Sequence, residues 1–217
     1  MILVTTLVII YSTEIVKTYG STYQSAPLFL SVHSLLYFLV GLGYLTLASF
    51  YNGLGETRTT LIISLITFLT LATLSPTLTQ TYGVQGLITA FLIASTAGTI
   101  YATHKARRKF QIEFDTPSLL KIYLVSAASG IPPLLMTHFA HLPETVNLTI
   151  GVLTYLSIYI TLAPLAKIIT PSELQTITNI TKRIRPLGVI AKPILRYQQK
   201  ILHIEQAKNQ PRTAPSQ

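Results

Sequence analysis

Residues 59–104 read TTLIISLITFLTLATLSPTLTQTYGVQGLITAFLIASTAGTIYATH, 46 positions without an Asp, Glu, Lys or Arg. A helix rising about 1.5 Å per residue crosses a hydrocarbon core of about 30 Å in roughly 20 apolar residues. The stretch is too long for one crossing, and Ser75, Pro76 and Gly83 supply breakers near its middle. It therefore reads as two membrane-length helices, 59–75 and 84–103. The same pattern recurs on both sides, because 18–55, 122–143 and 145–166 are also free of charged side chains.

Extended over the whole chain, this reading predicts six apolar spans at about 2–16, 27–51, 59–75, 84–103, 118–140 and 146–168. The fold class is all-α, a polytopic transmembrane helical bundle occupying residues 1–170. Only 11% of the 217 residues are charged, against roughly 25% in soluble domains, and the mean hydropathy is +0.51, which excludes an ordinary soluble globule. The fifth span opens with Thr116 as a cap and Pro117 as first helical residue, and Gly130, Pro132 and Pro133 predict a kink inside it. Met1 leads directly into ILVTTLVII without a cationic stretch, so no cleavable signal peptide is expected.

Charge is placed unevenly. Residues 1–166 carry seven Lys/Arg against five acids, whereas 167–217 carry nine against two. The block His104, Lys105, Ala106, Arg107, Arg108, Lys109 places the loop after the fourth span in the cytoplasm. Counting spans from there puts Arg58 inside, 18–26, 76–83 and 141–145 outside, and the C-terminal tail inside. Thr170, Pro171 and Glu173 form a capping box opening a basic amphipathic interfacial helix over 171–206. Its Lys182, Arg183, Arg185, Lys192 and Arg196 are expected to meet anionic lipid headgroups rather than nucleic acid. Residues 207–217, rich in Gln and Pro, read as disordered.

Three short stretches follow one another in order. Tyr19, Gly20, Tyr23 and Ala26 precede a long helix; Gly53, Leu54, Gly55, Glu56, Thr57 and Arg58 close it; Tyr82, Gly83, Val84, Gln85 and Gly86 open the fourth span. With the basic loop that follows, and an Asp before the next helix pair, this combination resembles the C-terminal part of the multidrug/oligosaccharidyl-lipid/polysaccharide flippase superfamily, in its Wzx-like branch. The resemblance marks Gly53, Gly55 and Arg58 as a family-motif loop. It implies a second lobe whose first-lobe counterpart is supplied by a missing segment or another chain. It further implies a cell-membrane transporter that flips lipid-linked oligosaccharide or polysaccharide precursors. A multidrug or small-molecule exporter of the same fold, or a non-transporting accessory subunit, are the alternatives.

Candidate functional residues come from helical spacing. His33, Tyr37, Gly41, Tyr44, Ala48 and Asn52 recur every three or four positions on the second span. The polar members His33, Tyr37, Tyr44 and Asn52 are candidates for lining a translocation cavity, with helix packing as the competing reading. On the fourth span Gly86, Ala90, Ala94, Ala97 and Gly98 form a small-residue ridge suited to close helix contact. No hydrolytic or redox constellation is visible, so no enzyme and no cofactor are expected. The chain has no Cys, and His138 with His141 read as interfacial residues rather than metal ligands. The acids Glu14, Glu56, Glu113, Asp115 and Glu144 fall near span ends, where water is expected to solvate them. Asn147, in an Asn-Leu-Thr acceptor pattern, falls on the outer side, and Asn179 on the inner.

Overall fold

The computed structural model describes residues 1–20, 23–139, 143–166 and 168. Every regular element among them is helical: α1 (Ile2–Ile10), α2 (Ser12–Lys17), α3 (Ala26–Ser34), a 3-10 stretch (Leu35–Leu42), α4 (Leu47–Gly53), α5 (Thr57–Tyr82), α6 (Val84–Phe110), α7 (Thr116–Phe139) and α8 (Glu144–Leu165). The tail with Lys182, Arg183, Arg185, Lys192 and Arg196, and the capping box at Thr170, lie outside the described residues.

Four helices are long and apolar enough to cross a membrane, namely α5, α6, α7 and α8. The segment from Ala26 to Gly53 makes a fifth if its two halves, bent by 43°, count as one broken span. Residues 2–17 form two short helices that meet at Tyr11, whose φ of −102° and ψ of 19° leave the helical range.

The α5–α6 hairpin is the largest packed unit. Its turn falls at Gly83, where φ 59° and ψ −137° require a residue without a Cβ. Pro76 does not end α5; the helix runs six residues beyond it. A span tolerates an internal proline because back-bonding hydroxyls and local adjustment re-satisfy the freed carbonyls. The carbonyl that Pro76 leaves without its helical donor is that of Ala72, one turn back; beyond the proline, Thr77 and Thr81 bond back to the carbonyls of Leu74 and Thr77 at 3.0 Å each.

Without a hydrophobic force between helices in lipid, close packing has to hold the pair. Gly86, Ala90, Ala94 and Gly98 are buried on the α6 face toward α5, and Ala97 is half-buried beside them. A Cβ at Gly86 would run into the Leu78 carbonyl, and one at Gly98 into the Thr67 hydroxyl. By contrast, α5 turns Leu61, Leu65, Phe68 and Leu69 outward, an apolar face suited to lipid.

The second unit is α7 with α8, against which α1 and α2 pack. The α7 start differs from the sequence expectation: Asp115, not Thr116, is the cap, its Oδ1 accepting the Ser118 N–H at 3.0 Å. The Ser118 hydroxyl first, and this N–H second, hold the Asp115 carboxyl below its usual range. A single helix continues through Pro132 and Pro133 to Phe139.

Candidate functional site

The interruption of the second span is the centre of the candidate site. After Leu35 the backbone tightens to 3-10 geometry, and Gly43 adopts a left-handed φ of 90° before α4 begins. Carbonyls released at such a break must find donors inside the protein. Tyr123 of α7 supplies one, its hydroxyl donating to the Phe38 carbonyl. Thr103 of α6 supplies another, donating to the Leu42 carbonyl at 3.0 Å. Gly41 lets α7 come close enough for this, since a Cβ there would collide with Leu119 and with the Tyr123 hydroxyl.

Beneath the break lies a cavity of about 60 Å³ lined by Gly43, Tyr44, Leu47, Ala48, Ile63, Thr67, Ser95, Gly98, Thr99 and Ala102. One water occupies roughly 10–15 Å³ on the same measure, so the space suits a few waters and not a substrate. Two of its hydroxyls are turned back on their own helices: Thr67 donates to the Ile63 carbonyl at 3.0 Å and Thr99 to the Ser95 carbonyl at 2.8 Å.

The break also redistributes the polar positions of the second span. His33 is exposed, its ring 6.3 Å from Tyr37 and stacked at 6.2 Å on Phe91 of α6. Tyr44 lies across the break and lines the cavity with Ala48. Asn52, at the far end of α4, accepts the Thr60 hydroxyl at 2.9 Å. His33 and Tyr37 are thus together, whereas Tyr44 and Asn52 occupy separate surroundings. A left-handed residue between α3 and α4 resets the helical phase that the spacing assumed.

The family-motif loop closes α4 in an orderly way. Gly55 takes φ 74°, with its N–H on the Asn52 carbonyl at 3.1 Å and the Glu56 N–H on the Tyr51 carbonyl at 2.8 Å, which satisfies the last helical acceptors. Gly53 has open space around it, and Arg58 is exposed. Glu56 stands at the N-terminal boundary of α5 with its side chain on no backbone N–H; it accepts the Thr59 hydroxyl at 3.2 Å and pairs with Lys109 at the end of α6. The Lys109 ammonium holds the Glu56 carboxyl below its ordinary range, helped by Thr59.

A different set of polar residues escaped the sequence reading. The hydroxyls of Thr6, Ser126 and Tyr155 form a chain from α1 through α7 to α8, at 2.9 and 2.7 Å. Ser126 and Tyr155 are fully enclosed. Glu14, expected to be solvated, is half-buried against α8, and Asn147 lies over it, 5% exposed, with its amide N 3.5 Å from Glu14 Oε1. Burial also removes Asn147 from any modifying enzyme. The legible signal was the four-residue spacing of Asn147, Gly151 and Tyr155 on one face of α8. Among the described residues no group of three or more His, Cys, Asp or Glu is placed to hold a metal; the His138 side chain and His141 lie outside them.

Compared with protein-family models, curated proteins and solved structures, the chain matches none.

Proposed function

We propose that the chain is the C-terminal portion of a cell-membrane transporter that flips lipid-linked oligosaccharide or polysaccharide precursors. In this reading residues 2–16 supply a sixth crossing beside the five described above, and the basic tail lies in the cytoplasm against anionic lipid. The observation that carries transport is the broken second span. Transporter sites are typically built on discontinuous helices, and irregular backbone at membrane depth is tolerated where it is buried in protein or lines a wet cavity. Here the break at Gly43 sits on a small cavity whose mostly apolar lining includes Thr67, Ser95 and Thr99, and it is held by Tyr123 and Thr103 from two other helices. The glycan-lipid substrate class rests on the ordered residues Tyr19 to Ala26, Gly53 to Arg58 and Tyr82 to Gly86.

A flippase works by two lobes rocking about a central site. The described helices form one side of such a site, so a first-lobe chain or segment is the implied partner. The test is movement of a fluorescent polyprenyl-diphosphate oligosaccharide across vesicle membranes holding this chain alone or co-expressed with a first-lobe chain. Flipping only in the co-expressed sample is the expected result. Robust flipping by the chain alone overturns the half-transporter reading. Export of a lipophilic dye without movement of the glycan lipid, in the co-expressed sample, favours the small-molecule exporter instead.

A further inference from the structure

Three buried oxygen atoms lack a hydrogen-bond partner among the described residues: the Tyr11 hydroxyl, Glu14 Oε2 and Asn147 Oδ1. They belong to side chains that share one place. Glu14 lies three residues beyond Tyr11, and Asn147 reaches Glu14 Oε1 with its amide nitrogen at 3.5 Å. The Tyr11 hydroxyl rests against Gly151, where a Cβ would overlap it, one turn along α8 from Asn147. These contacts bring the three side chains together between α2 and α8.

Tyr11 is wholly enclosed and Asn147 nearly so. Leaving a buried polar oxygen unpaired is destabilising, the more so when it is charged. Three such atoms at one spot call for a shared partner. The Tyr11 hydroxyl can donate to one of the two acceptors, which leaves the other without a partner. A water bridges all three but brings no charge to the half-buried Glu14 carboxylate, whose Oε2 is enclosed. A monovalent cation meets all three oxygens and neutralises the acid. The helix α3, which also packs here, carries no acid, Lys or Arg.

We infer that Glu14, Asn147 and Tyr11 form a binding site for a small alkali cation between the broken first segment and α8. The oxygen set is that of a hard cation: one carboxylate, one amide and one phenol. Position supports it as well, because the site lies where α1 gives way to α2 at Tyr11, and such breaks recur where transporters hold ions. The inference is independent of the substrate proposed above, since it concerns binding in the absence of any flipping.

The experiment measures radioactive sodium binding to the full chain in detergent, with unlabelled sodium as competitor and choline chloride holding ionic strength constant. One saturable, competable ion per chain is expected. Glu14→Gln should abolish saturable binding, and Tyr11→Phe should weaken it by about tenfold, the scale seen when a supporting group of an ion site is removed. Glu56→Gln, at the other end of the bundle, should bind as the parent does. Helical circular dichroism and size exclusion establish folding; if Glu14→Gln fails to fold, Tyr11→Phe decides. Equal binding by the parent and the folded variants overturns the site. So does an absence of saturable sodium binding by the parent, which assigns the three oxygens to a proton or an ordered water.

Discussion

The Tyr51 hydroxyl, on α4, donates to the backbone carbonyl of Ala102, on α6, at 2.7 Å in a fully buried contact. It ties the lower half of the broken span to the hairpin, within a cluster that includes Phe50 and Phe110 at ring distances of 5.3–6.1 Å. Tyr51→Phe keeps the rings and removes only the hydrogen bond, so it should cost about 1 kcal/mol. Tyr51→Ala leaves a cavity as well and should cost about 3–5 kcal/mol. Thermal unfolding in detergent, followed by circular dichroism, separates the two effects.

Gly86 packs directly on the backbone of Leu78, so a side chain there has no flexible atom to displace. Gly86→Val should force α5 and α6 apart near the Gly83 turn, with a loss of about 1–3 kcal/mol as for other overpacked sites. Ala97→Val, on a half-buried position of the same helix, should be milder. Equal loss of thermal stability in the two variants would remove the special role given to Gly86.

Glu56 links the α4–α5 loop to Lys109, and its folded-state pKa is lowered by that pairing. A depressed carboxylate stabilises the folded state fully above its unfolded pKa, and the contribution disappears as pH falls through the lower, folded value. Stability should therefore decline on the acid side of the ordinary carboxylate range. Asp115 contributes with the same sign, so the difference between the parent and Glu56→Gln isolates the pair. The variant should show the shallower acid slope, and identical slopes would mean that the ion pair contributes nothing in solution.

Orientation is testable because the chain has no Cys of its own. A cysteine at Tyr82 should react with a membrane-impermeant maleimide in intact cells, and one at Arg108 only after permeabilisation. Both residues are exposed at opposite ends of the α5–α6 hairpin. The reverse labelling pattern would invert the topology and move the basic tail outside.

The hairpin was legible in the sequence because its cause is local: charge-free length sets the helices, and Gly83 sets the turn. Pro76 misled as to where α5 ends, since a membrane span carries a proline that a soluble helix would not. The break at Gly43 was not legible, because the donors that stabilise it, Tyr123 and Thr103, lie 85 and 61 residues away from the carbonyls they satisfy. Periodicity carried His33, Tyr37, Tyr44 and Asn52 straight across that break. The polar face of α8 was present as a spacing of four from Asn147 to Tyr155, but Asn147 also fits an acceptor motif and Glu14 lies near a span end. Only tertiary packing brings those two together.

If the second span works as a hinge, Gly43 is its pivot. At φ 90° an L-residue with a Cβ is disfavoured by about 1–2 kcal/mol, and here the Cβ would also press on the Leu47 side chain. Gly43→Ala therefore penalises the bent arrangement relative to any straighter one. A shift of 1–2 kcal/mol between two conformations changes their ratio by a factor of about 5–30. Movement of the fluorescent glycan lipid by the co-expressed transporter should fall by that order, while membrane insertion stays intact. Gly53→Ala is the control, because Gly53 lies in α4 with open space about it. A folded Gly43→Ala protein that flips at the parental rate would show that the bend is a fixed feature of packing and takes no part in transport.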